Sequence, residues 1–416
     1  MRILVANKFW YRRAGLERVM FDEIGWLEEA GHQVAHFSTT HPENDPSPWS
    51  GYFARYAEIG PDTALTFSEK AQAARGMFWN REAAGRFNEL VAQFRPDVVH
   101  VHGIHRHLSP SILFAAKRAG VPVVQSLHDY HPICPAGDLL RGGTTVCAPP
   151  RCHRANVLPC ALYRCVQGST VKSALAGAEL LWRRWVTRID SLVDAFISPS
   201  QYLADVISAG GIRQRPVHIL PNAIPAPTIP PGGTNGDSFV YAGRLSREKG
   251  VRTLLRAVER ANVSLAVAGE GPLRASLEAA APPLVRFLGR LSGDEVNRLL
   301  AGCRAAVVPS EWAENAPMAV LEPMVLGRPV VATRMGGIPE QVRDGVDGIL
   351  VQAGDDLELA AALRVLADDP DLADRLGSSA RVRATTHFDP RSHLEGLESI
   401  YRSVTAHRGP SIVASG

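Results

Sequence analysis

The 416-residue sequence predicts an α/β protein built from two doubly wound, parallel-sheet domains facing a cleft. Three observations predict it. Short, almost wholly apolar runs alternate with helical or looped spans, the pattern of parallel strands buried on both faces by crossover helices. The alternation breaks once, in a stretch dense in proline and glycine, and then restarts. The length exceeds one ordinary core and suits two, at roughly 100 to 200 residues each.

The first strand is written in Met1-Arg-Ile-Leu-Val-Ala-Asn7, and a helix from about Glu17 to Ala30 follows, stopped by Gly31. The apolar theme recurs at Val34 to Ser38, Val98 to His102, Val121 to Leu127 and Ala195 to Ser198, filling a first domain over 1–220. Residues 221–236 hold too many prolines and glycines for a helix or a central strand and read as the linker. Strands then return at Phe239 to Ala242, Leu265 to Ala268, Ala305 to Val308, Val330 to Thr333 and Ile349 to Val351, giving a second domain over 237–390. Residues 391–416 read as a C-terminal helix that packs back on the N-terminal domain, followed by a tail.

Hydrophobic residues at 45% and charged residues at 21% fit a globular protein and argue against disordered or membrane-spanning chains. A net charge of +3 is too slight to point to nucleic acid. The run Ile3 to Ala6 is too short for a signal-peptide core, so a cytoplasmic protein is expected.

Doubly wound sheets bind ligands beyond the carboxyl ends of their strands, where apolar runs turn polar or glycine-rich. After the Phe239 strand comes Gly243-Arg-Leu-Ser-Arg-Glu-Lys-Gly250, cations beside glycines, which suits a diphosphate as well as a solvated turn. Pro309 to Glu322 ends a strand and opens a helix, with Asn315 near the cap and Pro317 near the first helical position. Its Glu314 and Glu322 cannot share one helical face, so Glu314 is expected on the loop and Glu322 on the helix, to grip hydroxyls at two ends of one ligand. Gly336-Gly-Ile-Pro-Glu340 then forms a glycine turn into another helix.

These three pieces, in this order after a linker, resemble the retaining nucleotide-sugar glycosyltransferases of family 4, which have the GT-B fold, and the resemblance extends over nearly the whole chain. It implies Arg244 and Lys249 on the donor diphosphate, Glu322 on the ribose hydroxyls, Glu314 on the transferred sugar, and backbone amides from Asn315 and Ala316. Gly243, Glu270 within Gly269-Glu-Gly271, and Gly289 at the Phe287 strand end resemble further donor-contacting positions. Pro323 departs from the family's usual alanine and is expected to kink the helix that carries Glu322. In the first domain, Gly15 remains of the family's glycine pair, with Ala14 in place of the other; His128 of Ser126-Leu-His-Asp-Tyr130 matches the residue that faces the transferred sugar. The loop after the first strand, Lys8 to Arg18, which contains Gly15, mixes aromatic and basic residues that suit an acceptor sugar, an anionic lipid head or a packing partner.

His100, His102, His105 and His107 crowd one strand end, but no carboxylate is interleaved with them, which favours cleft lining over a metal. Asp369-Pro-Asp371 has the Asp-x-Asp form of metal-dependent transferases, yet it lies between helical patterns as a stop and start signal. No catalytic metal is expected.

Five of the six cysteines, Cys134, Cys147, Cys152, Cys160 and Cys165, fall in a core-poor insertion at about 131–168. Structural zinc, an iron–sulfur cluster, disulfides and unligated thiols all remain open. Such insertions resemble those of transferases associated with bacterial surface polysaccharides, which favours a glycan or lipid-linked glycan acceptor. Gly168 to Ile189 has the pattern of a basic amphipathic helix, suited to a peripheral contact at the inner face of a membrane or to packing on its own domain. The donor, a UDP, GDP or ADP sugar, is not legible. Alternatives are a nucleotide-sugar hydrolase or epimerase of the same fold, and a non-catalytic nucleotide-sugar sensor.

Overall fold

The computed structural model describes residues 1–56, 66, 74–147, 152, 156–227 and 236–406. Parts of the expected linker (228–235) and cysteine insertion (148–151 and 153–155), and the tail 407–416, lie outside the described residues.

The chain forms two compact units. The first comprises Met1–Pro199, Ala204–Leu220 and the segment from Leu394 onward; the second comprises Ser200–Leu203 and Pro221–His393. The strands of the first are β1 (Arg2–Ala6), β2 (Gln33–Phe37), β3 (Val98–Val101), β4 (Val123–Ser126), a hairpin of β5 (Leu140–Arg141) and β6 (Thr145–Val146), β7 (Ala195–Ser198) and β8 (Val217–Ile219). Apart from the hairpin they make one parallel sheet in the order β2-β1-β3-β4-β7-β8. Leu4 at its centre pairs with Ala35 on one side and Val99 on the other. Ile3 to Ala6 are at most 1% exposed, which is why this strand reads as an unbroken apolar run.

The second unit carries β9 (Ser238–Ala242), β10 (Ser264–Ala268), β11 (Val285–Gly289), β12 (Ala306–Val308), β13 (Val330–Thr333) and β14 (Gly348–Val351) in the parallel order β11-β10-β9-β12-β13-β14. The two parallel-sheet α/β units expected from the alternating pattern are therefore present. Both sheets reverse direction of strand addition once, beside β1 and β3 in the first and beside β9 and β12 in the second. The carboxyl ends of the strands beside such a reversal are the usual ligand position in doubly wound sheets.

The helix Pro390–Ala406 adds Leu397, Ile400 and Tyr401 to the core of the first unit, beside Ile3, Val5, Ile24 and Val98. Helix Val251–Ala261 is strongly two-faced, and its Leu254, Leu255 and Val258 join Leu359, Leu363 and Leu366 of helix Asp356–Asp368 in the second core. Asp369 accepts from Leu372 N at 2.8 Å and so caps helix Pro370–His387.

Candidate functional site

The loops after β9, β12 and β13 pack on one another at the reversal point of the second sheet. Gly250 ends a short helical turn with φ of 69°, and a Cβ there would stand 1.8 Å from Pro309 O, so only glycine lets the β9 and β12 loops meet. Glu311 N donates to Glu248 O across the same seam at 2.9 Å. Gly336 has φ of 60° and would put a Cβ 2.0 Å from Glu314 O, while Gly337 N donates to that oxygen at 2.7 Å. The glycine pair after β13 therefore clamps the loop that carries Glu314.

Two donors converge on Glu314 Oε1: Lys249 Nζ at 2.7 Å and Ser310 Oγ at 2.5 Å. The carboxylate is 5% exposed, and among the described residues no group is bonded to its Oε2. Lys249 also lies 5.2 Å over the Trp312 ring, and its side chain stays 27% exposed. Gly243 and Arg244 follow directly on β9 and are exposed. Tyr241 donates its hydroxyl to Arg244 O at 2.7 Å, fixing that backbone, and its phenol is pushed far up by burial and by the charges of Glu314 and Glu248. Lys249, Arg244, Gly243 and Glu314 are thus brought together by neighbouring loops of one sheet.

Asn315 and Ala316 are buried on the same loop, and Asn222 Nδ2 holds Ala316 O at 3.1 Å. The helix itself runs Met318–Val325, so Pro317 occupies the cap position rather than the first helical one. Glu322 is half-buried within it, and Pro323 lies inside the helix, as Met318–Val325 stays a single element. Glu270 lies in the loop after β10 and Gly289 ends β11; Glu270 is exposed and paired with Arg274, and Gly289 backs onto that pair.

In the first unit, the loop from β1 is tied to the end of β3: Gly103 N donates to Asn7 Oδ1 at 2.9 Å and Lys8 N to Gly103 O at 3.0 Å. Burial draws the Lys8 ammonium below its ordinary pKa and raises the Glu17 carboxyl. Ala14 is extended, with φ of −153°, and Gly15 begins helix Gly15–Glu29 with no atom near its Cβ position. Alanine in place of the family's first glycine thus adopts its conformation without strain. Phe9, Tyr11, His41, Tyr56 and His107 assemble a platform of rings, with Tyr11 on His41 at 4.8 Å and Tyr56 on His107 at 5.0 Å.

His128 is stacked on His102 at 5.1 Å, and its Nε2 is 2.9 Å from His102 Nδ1. Burial lowers the pKa of both histidines, so neutral rings share that bond. The carboxylate missing from the histidine cluster in sequence arrives from the preceding helix: Glu23 Oε2 is 3.7 Å from His102 Nε2 and 4.0 Å from His100 Nδ1. Among the described residues, Glu23, His100 and His102 are the group whose ligand atoms lie within 4.8 Å of one another. His100, however, is bonded through Nε2 to Ser126 Oγ and through Nδ1 to Tyr401 Oη, both at 2.8 Å. Both ring nitrogens of His100 are thus bonded to hydroxyls, which ties the ends of β3 and β4 to the C-terminal helix.

The five clustered cysteines carry free thiols and line a single cavity. In the 168–189 segment, helix Thr170–Leu181 continues into a wider turn, Trp182–Val186. Arg183 is buried against Glu179 at 2.6 Å and donates to His131 O, and Arg184 donates to Gly210 O. Those cations serve the unit's own packing, whereas Trp185 and Val186 are exposed. Among the described residues no helix is long and apolar enough to cross a membrane.

Comparison with known proteins gives the family. A sequence model described as "Glycosyl transferases group 1" matches residues 236–369, and one described as "Glycosyltransferase Family 4" matches residues 13–226. Glycogen synthase of Mycobacterium tuberculosis is 31% identical over 254 residues, 58% of this chain and 60% of that protein. The chain thus spans about 60% of that relative's length. Among solved structures, sucrose-phosphate synthase from Thermosynechococcus elongatus superposes with a TM-score of 0.72 at 17% identity, covering 98% of this chain and 100% of that one. Anabaena HepE in complex with UDP-glucose does so with a TM-score of 0.64 at 17% identity, covering 97% and 100%. At such identities these two show the GT-B fold alone. The family model over 13–226 covers more than half of the residues, and the chain belongs to glycosyltransferase family 4.

Proposed function

We propose that this chain transfers a sugar, with retention of configuration, from a nucleoside-diphosphate sugar to a glycan or lipid-linked glycan acceptor. The observation that carries the reading is the clamped Glu314: a buried carboxylate fixed through one oxygen by Lys249 and Ser310, with the other oxygen left for a ligand hydroxyl. It stands beside an exposed Arg244 at the end of β9. In this reading Arg244 and Lys249 neutralise the leaving diphosphate in place of a divalent metal, and the amides of Asn315 and Ala316 assist. Glu322 holds the ribose, and Glu314 holds the transferred sugar as it gains positive character. His128, assigned to the transferred sugar on the family resemblance, is held by a ring network that would keep its geometry fixed. For the acceptor, the platform of Phe9, Tyr11 and Tyr56 offers apolar faces to a sugar ring. The exposed Trp185 and Val186 are the contact we assign to a membrane carrying a lipid-linked acceptor.

The test separates the two glutamates, which a generic acidic patch would not do. Glu322→Ala should weaken a nucleoside diphosphate and its full sugar donor alike, by roughly 1.5 to 3 kcal/mol. Glu314→Ala should leave nucleoside-diphosphate affinity nearly unchanged while lowering turnover. Calorimetry across UDP, GDP and ADP, with turnover of the matching sugar donor, reads both effects and fixes the base. Equal losses of nucleotide affinity in the two variants would overturn the assignment. Turnover should also persist in excess EDTA; activity abolished by chelator and restored by magnesium or manganese would show a metal at the diphosphate instead.

A further inference from the structure

The cysteine insertion has few apolar residues of its own to pack. Cys160 and Val166 form one small buried cluster with Ala176 of the following helix, Ala136, Cys152 and Cys165 are partly buried against it, and Ile133, Leu139 and Leu140 are buried besides. So small a core supplies little stability. Yet the backbone is wound tightly, with Leu139, Arg164 and Gln167 at φ of 52°, 51° and 51°. Such conformations cost residues with side chains roughly 1 kcal/mol or more each and persist only where the surroundings enforce them.

The winding brings sulfur to one place. Cys134 precedes the β5–β6 hairpin and Cys147 follows it, with Cys147 N bonded to Leu139 O at 2.7 Å. The short helix Leu158–Leu162 carries Cys160, and Cys165 N returns to Cys160 O at 3.1 Å. Together with Cys152, all five thiols line a cavity of about 20 Å³. That is room for one body the size of a water molecule, in walls of sulfur and hydrocarbon that offer a water few partners.

We propose that at least four of Cys134, Cys147, Cys152, Cys160 and Cys165 ligate one metal centre, a zinc ion or an iron–sulfur cluster, that staples this insertion to the first unit. Among the described residues no three of these sulfurs yet stand within 4.8 Å of one another, so the centre draws the hairpin and the Leu158–Leu162 helix inward as it binds. The inference does not depend on the glycosyl-transfer reading.

The experiment is metal analysis of the full chain, purified without chelator. The expected result is about one zinc per chain, or iron with acid-labile sulfide and a visible chromophore. Cys303→Ala, which removes the lone buried thiol of the second unit, should retain the metal, and Cys160→Ser should lower it at least tenfold. Should Cys160→Ser fail to fold, titrating the wild-type protein with an organic mercurial gives the same answer, because metal should be released in step with thiol modification. A folded, metal-free wild-type protein with all five clustered thiols titratable, or with four of the five joined in two disulfides by mass, overturns the proposal. Nucleoside-diphosphate calorimetry on the same samples reads the second unit separately, so failure here and failure of the transferase reading are told apart.

Discussion

Lys249 and Ser310 meet on the same oxygen of Glu314, and the serine is the part of that arrangement with no advance signal in the chain. Ser310→Ala should leave nucleotide affinity intact and lower turnover, because it removes one of two donors that aim the carboxylate; the loss expected is about tenfold, from ~1.5 kcal/mol for a bond to a charged group. Steady-state kinetics beside calorimetry checks it, and a matching loss of nucleotide affinity would assign Ser310 to the diphosphate instead. Tyr401 gives a second prediction. Its hydroxyl is buried and bonded to His100 Nδ1, so Tyr401→Phe should cost about 1 to 3 kcal/mol in urea unfolding with the ring's packing preserved. Arg244 and Lys249 stood out in the sequence because they fall beside glycines at a strand end, and Glu314 and Glu322 because they bracket the passage from a strand end into a helix. Glu23, Ser310 and Tyr401 did not, since each reaches its partner from an element whose spacing says nothing about the neighbour across the fold.

At the scale of elements, the turn after β13 decides the shape of the loop after β12. Gly336→Ala forces a Cβ to within 2.0 Å of Glu314 O at a positive φ, whereas Gly345 has φ of 71° with open space around it. Gly345→Ala should therefore cost about 1 kcal/mol, the backbone preference alone, and Gly336→Ala about 1 to 3 kcal/mol more from the clash. Only Gly336→Ala should also weaken a nucleoside diphosphate in calorimetry; equal behaviour of the two would show that the clamp has no bearing on the site. The central strands were legible from their apolar runs. The edge strand β8 was not, since Val217, His218 and Ile219 are only half-buried or exposed and carry no alternation to read. Nor was the β5–β6 hairpin, two residues a side, whose thiols rather than apolar residues mark its place.

Across the whole molecule, buried histidines tie stability to pH. Burial lowers His36 from 6.5 to about 4, and the same cause lowers His107 to about 4. The unfolded chain then takes up protons first as pH falls, so stability is full above about 6.5 and drains away as pH approaches 4. For His36 the shift amounts to ~3 kcal/mol at most. Urea midpoints should hold level from pH 8 to 7 and drop steadily between 6 and 5, and a flat profile over that range would contradict the burial of these rings. Below pH 4 the sign comes from Asp129: burial alone would raise its carboxyl, but His131 and His105 hold it well below the carboxylate range. Its contribution, present above 3.8, is lost as protonation is forced.

The bond between Tyr401 and His100 joins residues 301 positions apart. On the ribosome this has an order to it. The strands β1 to β8 emerge early, but Leu397, Ile400 and Tyr401, which close their core, leave the exit tunnel only after every strand of the second unit has been made. The first unit must therefore wait, collapsed but with apolar surface uncovered, for some tens of seconds at ordinary elongation rates, while the second unit can complete its own sheet ahead of it. Nascent chains that end just before Leu394 and are held on the ribosome by a linker long enough to clear the exit tunnel should thus be protected from protease over the second unit and still be cut within the first.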